Sequence, residues 1–170
     1  LHVPFNNSGH KISQIYVGQM RRQLHGNRGF EAENWSNARH YAIDSKIATA
    51  EALEWAKTAA TPGFPGKENF NTLMVLAEAQ AANGMTAEAA KTREKAMNSP
   101  TASTMDLHGY ARSLMQKGQN QEALAVFEMN AKKHSNEWPT SLGLARGYSA
   151  VGRYQDALKS AKLALAQAPD

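Results

Sequence analysis

The sequence predicts an all-α fold, a stack of antiparallel helix hairpins, and three recurrences carry that prediction. Gly84, Gly118 and Gly152 recur every 34 residues, as do Ala77, Ala111 and Ala145, and again Ala89, Ala123 and Ala157. Three sets of positions keeping one period is self-similarity, the signature of a repeat architecture. One hairpin cannot bury its apolar face alone, so neighbouring hairpins bury it together. A chain built this way presents a surface.

Composition sets bounds on what that surface does. With 170 residues, 42% hydrophobic and 20% charged, the chain has the means to bury a core and the polarity to stay folded in water. No apolar run approaches the roughly 20 residues that cross a bilayer, which argues against membrane insertion. The absence of cysteine excludes disulfides and thiolate metal sites. A net charge of +4 is mild, and Lys91, Lys95, Lys117, Lys132, Lys133, Lys159 and Lys162 alternate with Glu88, Glu94, Glu122 and Asp156. Nucleic-acid binding wants basic side chains gathered on one face, whereas this pattern reads as solvated helix surface.

Along the chain, residues 1–9 read as an extended stump, because Val3 precedes Pro4 and Asn6, Asn7, Ser8 and Gly9 favour a turn. Within 10–30, Ile12, Ile15, Tyr16, Met20 and Leu24 take the spacing of an amphipathic helix, which Gly26 and Gly29 close. A helix is expected from about 33 to 44, with Trp35, Ala38, Tyr41 and Ala42 inward. Another is expected from about 50 to 60, with Ala52, Leu53, Ala56 and Ala59 inward and Thr49 as its N-cap. Two prolines and two glycines in residues 61–66 break the helical pattern.

Three helix–turn–helix units follow, at about 68–97, 103–133 and 137–168, each with its glycine between the helices, where a left-handed turn is easiest without a Cβ. Ser103 and Asp106 have capping-box spacing. Pro100 and Pro169 fall after helices, and Pro139 falls in a first turn, where a missing N–H costs nothing.

These residues resemble the tetratricopeptide repeat family. The last unit is the fullest match, through Leu144, Ala145, Tyr148, Gly152, Tyr154, Ala157, Ala164 and Pro169. The middle unit keeps Ala111, Gly118, Ala123 and Phe127, with Tyr110 in a leucine slot and Asn130 where alanine belongs. The earliest keeps Leu76, Ala77, Gly84, Ala89 and Ala96, but Gln80 and Arg93 stand in large apolar places. The resemblance implies a right-handed solenoid over 31–170, with a divergent repeat at about 31–61 and repeats at about 68–100, 101–135 and 136–170, preceded by one extra N-terminal helix and making eight or nine helices in all.

Segments around Trp35, Trp55 and Trp138 resemble more narrowly the tail of uncharacterised Bacteroidetes-type proteins that carry an N-terminal β domain. On that resemblance residues 1–5 would be the last strand of an upstream domain, and a periplasmic or otherwise extracytoplasmic location is favoured.

No nucleophile elbow, phosphate loop or dinucleotide fingerprint is present, and no HExxH pair. His40 with Asp44, and His108 with Arg112, are four apart and share helix faces, a spacing that reads as surface contact rather than a metal site. No catalytic residue, cofactor or metal is expected. Trp35, Trp55 and Trp138 read as core.

The resemblance implies a concave groove lined by the first helix of each unit: Asn71, Met74 and Glu78; Met105, His108, Arg112 and Met115; Leu142, Arg146 and Ser149. Arg112 and Arg146 stand 34 apart, so a carboxylate-bearing segment of a protein or peptide is the expected partner. The alternatives are an Arg pair tied down by neighbours such as Glu78, a structural or oligomerising tail, and part of a larger enzyme whose active site lies upstream. Leu163 is expected to add apolar surface on the last helix, open to another subunit or domain.

Overall fold

The computed structural model describes residues 15, 18, 19, 22, 49–135 and 137–169. Ile15, Gly18, Gln19 and Arg22 are helical, as the 12–24 reading expects. The expected stump at 1–9, the helix at 33–44, Trp35, His40 and Asp44 lie outside the described residues. Seven helices follow: α1 Thr49–Ala60, α2 Phe70–Ala82, α3 Thr86–Asn98, α4 Thr104–Gln116, α5 Asn120–Lys133, α6 Trp138–Ala150 and α7 Tyr154–Gln167. The fold is all-α. Among the described residues the sole β feature is an isolated bridge between Gly63 and Gly66. The chain forms two compact units, Leu1–Thr101 and Ala102–Asp170.

Each of the three predicted hairpins turns in three residues, and each turn is built alike. Gly84, Gly118 and Gly152 take φ of +76°, +76° and +80°, a left-handed conformation that glycine enters without a Cβ penalty. The residue after each glycine donates its N–H back to the preceding helix: Met85 to Gln80 at 2.9 Å, Gln119 to Leu114 at 3.0 Å, Arg153 to Tyr148 at 2.8 Å. These bonds satisfy carbonyls that a helix C-terminus otherwise leaves open. The 34-residue period of glycine is therefore a period of chain reversal.

In the first unit, Leu53 and Ala56 of α1 pack with Val75 and Ala79 of α2, and Leu76 and Met85 close over them. Trp55 is buried, as expected. Thr49 is the first residue of α1 itself and not an N-cap ahead of it; its carbonyl instead accepts from Asn83 Nδ2 at 2.9 Å. A capping box not anticipated from sequence starts α2: Asn69 accepts from the Thr72 N–H at 2.9 Å, and Thr72 Oγ1 accepts from the Asn69 N–H at 3.1 Å.

In the second unit, Ser103 and Asp106 form their capping box. Leu107, Ala111, Leu114, Ala123, Leu124, Val126 and Phe127 make its core. Asn130, in an alanine slot, is fully buried and donates Nδ2 to the Thr104 carbonyl at 2.9 Å.

The C-terminal hairpin departs from the expected use of small residues. Ala77 and Ala111 are fully buried, but Ala145 is half-buried. Close approach to α6 comes through Gly143 and Gly147. A Cβ at Gly143 would stand 2.5 Å from Phe127 Cδ1, and one at Gly147 would stand 3.0 Å from both Leu124 Cδ1 and Phe127 Cδ2. Missing side chains on α6 thus seat the ring of α5. Trp138 corrects another expectation: as the first residue of α6 it lies at the helix end, 39% exposed, and is not core.

Candidate functional site

The groove residues fall into the two units, and each set is coherent on its own helix. On α2, Asn71 and Glu78 are exposed and Met74 is half-buried. On α4 and α6, which are in contact, the set is Met105, His108, Arg112 and Met115 with Leu142, Arg146 and Ser149. Spacings of three and four keep each series on one helix face. Met105, Arg112, Arg146 and Ser149 are exposed, while Met115 and Leu142 are half-buried.

His108 is the exception. Its place in the groove series predicts a ring presented to a ligand, yet it is 5% exposed. The cause is across the interface: with no Cβ on Gly143, the His108 ring reaches the α6 backbone and lies edge-on to Phe127, centroids 5.4 Å apart at 64°. His108 Nδ1 is 3.2 Å from the Pro139 carbonyl oxygen, and Nε2 is 2.9 Å from Arg146 Nη1. A guanidinium has donors only, so Nε2 must accept. The hydrogen therefore sits on Nδ1 and is donated to Pro139. One neutral tautomer satisfies both partners.

Electrostatics favours the same state. Burial is the largest influence lowering the His108 pKa from 6.5, the positive charge of Arg146 lowers it next, and Arg112 adds to both; the bond to Pro139 acts the other way. With its lone pair engaged by Arg146, the imidazole has no free base position. Among the described residues no group of three or more His, Asp or Glu side chains could hold a metal ion.

Among the described residues neither arginine is paired with an acid. The ion pairs there are Lys57–Glu54, Lys95–Glu68, Arg153–Asp156 and a longer His134–Glu137 contact. None of these ion pairs joins Arg112 or Arg146 to a carboxylate. What holds Arg146 is an uncharged ring nitrogen, a pairing that i,i+4 reasoning within α4 could not anticipate. The available signal is the 38-residue separation of His108 and Arg146, one repeat plus one helical turn.

A second feature lies on α7. Tyr154, Leu158 and Leu165 are 70%, 53% and 80% exposed. With the also exposed Ala161 they sit at spacings of four, three and four, a single stripe. One period earlier, Leu124 and Phe127 are buried against Gly147 and Gly143. The stripe corresponds, one period on, to the face by which α5 packs on α6, and on α7 that face is exposed. Leu163 is also exposed, at 51%, but lies on the opposite side of the helix from Tyr154, Leu158 and Leu165.

Pairs of helices of 13 or 14 residues, reversed by one glycine turn and repeated every 34 residues, define a helical-hairpin repeat protein. The tetratricopeptide repeat family matches residues 140–170, the hairpin with the fullest signature. A solved structure titled "Crystal structure of MamA" is similar in fold, with a TM-score of 0.51 and 12% identity, over 98% of this chain and 96% of that one. No curated protein matches this sequence.

Proposed function

We propose that this chain is a non-catalytic protein-binding scaffold whose α4–α6 face takes an acidic segment of a protein or peptide. The observation that carries this reading is the pair of exposed guanidiniums, Arg112 and Arg146, with no carboxylate partner among the described residues. Two cations on adjacent helices offer paired donors to carboxylates, and half-buried Met115 and Leu142 beside them offer apolar contact. Tetratricopeptide folds in general present such faces to protein partners, which supports the class of ligand.

The test is isothermal titration of a hexa-aspartate peptide into the 170-residue chain and its Arg112→Glu variant. Arg112 is the better reversal because Arg146 also supports His108. Binding by wild type with a loss of tenfold or more in R112E supports the reading; equal affinity of the two chains contradicts it.

The α7 stripe favours a second reading, in which the repeats serve as a structural tail that packs against another domain or a second copy. Exposed apolar side chains in a row are commonly covered by a partner. The narrower resemblance to bacterial tails that follow a β domain belongs with this reading.

A further inference from the structure

We infer that His108 makes the Arg112/Arg146 face a proton-linked anion site, which binds acidic partners more tightly as the pH falls from neutral. This inference rests on the acidic-partner reading and adds its regulation.

Near neutral pH, the Nε2 lone pair of His108 accepts from Arg146 Nη1 at 2.9 Å, and Nδ1–H donates to the Pro139 carbonyl. One guanidinium of the pair is therefore partly engaged inside the protein. Protonation converts Nε2 from acceptor to donor, so the bond to Arg146 cannot persist. Two effects then act together. Arg146 is released, and its exposed side chain is free to turn its full set of donors outward. The face also gains a third positive charge, beside Arg112 and Arg146.

Among the described residues, the groups around the ring leave that charge unmatched. Arg112 faces it from its own helix α4. Helix α6 contributes Arg146 and the neutral Pro139 carbonyl, and α5 contributes the uncharged Phe127 ring. Burial and two cations oppose protonation, and no carboxylate among the causes offsets them. An incoming carboxylate supplies the missing negative charge. Ligand and proton therefore favour each other, and the coupling is reciprocal by thermodynamic necessity.

The experiment is calorimetric titration of hexa-aspartate into the full chain at pH 7.5 and 5.5. It is repeated near pH 6 in two buffers of different ionisation enthalpy to count protons. The peptide is N-acetylated so that it has no amino terminus to titrate, and any proton taken up by its own carboxylates is measured with the non-titrating His108→Gln variant. The expected result is affinity rising roughly three- to tenfold at pH 5.5, with net proton uptake on binding, as one added charge beside a carboxylate would give.

His108→Gln can offer an acceptor to Arg146 and a donor to Pro139 but cannot titrate, so its affinity should be equal at the two pH values. His108→Asn takes its place if H108Q does not fold, and His134→Gln should keep the wild-type pH response. Wild-type binding that is equal at both pH values without proton uptake overturns the inference while leaving the acidic-partner reading standing. A pH response retained in the non-titrating variants also overturns it. Binding at neither pH overturns the acidic-partner reading, and the inference with it.

Discussion

Replacing Gly143 by alanine pits two effects of known size against each other. A methyl group there would stand 2.5 Å from Phe127 Cδ1, 3.0 Å from Cε1 and 3.3 Å from His108 Nδ1. Carbon atoms in good contact lie about 3.5–4.0 Å apart, so the ring must move by about an ångström or more. Phe127 is fully buried and His108 is tied at both nitrogens, so neither has free space to enter. Overpacking of this kind costs about 1–3 kcal/mol. Alanine returns up to about 1 kcal/mol through helix propensity. The clash wins, leaving a net loss of about 1–2 kcal/mol, or roughly 2–8 °C in melting temperature for a chain of this size. Gly109 is the control: it is an exposed residue of α4, and a Cβ added there would meet nothing within 4 Å. At that position only propensity acts, so G109A should be more stable by about 0.5–1 kcal/mol. Thermal and urea unfolding followed by circular dichroism measure both. If G143A melts at or above wild type, the seating of Phe127 and His108 on α6 is refuted.

Other outcomes follow from the same geometry. Gly118→Ala forces a Cβ into φ +76° and should cost about 1 kcal/mol by urea unfolding, although a Cβ there would touch nothing. Asn69→Ala removes the α2 cap and should cost about 1 kcal/mol; an unchanged midpoint would mean the capping box adds nothing. Acid should destabilise the chain through His108. Its folded-state pKa lies below 6.5, so its contribution is present above that value and is lost as pH falls from 6.5 through the folded pKa. Melts between pH 7.5 and 5 should therefore fall less steeply in H108Q than in wild type. Leu158→Lys should reduce self-association in light scattering if the α7 stripe meets a second copy; a wild type that stays monomeric at high concentration would count against that structural reading.

The hairpins are legible in the sequence because each turn needs one left-handed residue and glycine supplies it most easily; Gly84, Gly118 and Gly152 mark all three reversals. Ser103 with Asp106 is readable for a similar reason, since an acid three residues after serine is a common cap. Asn69 with Thr72 does the same work with a less distinctive pair. The candidate face is legible in part. Arg112 and Arg146 are exposed where the period puts them. The burial of His108 is not legible, because it depends on an absence: Gly143, on another helix, leaves the room the ring occupies. Trp138 shows the converse, a large apolar residue exposed because it begins a helix. The α7 stripe follows from carrying Leu124 and Phe127 forward one period to Leu158 and Ala161.

We propose that the α4–α6 face binds an acidic segment through Arg112 and Arg146. Amide chemical-shift mapping of the 170-residue chain against hexa-aspartate, with hexa-lysine as the control, tests it most directly. Shifts should concentrate at Arg112, Met115, Leu142, Arg146 and Ser149, with none induced by hexa-lysine. Shifts centred instead on Tyr154, Leu158 and Leu165, or no localised shifts at all, would contradict it.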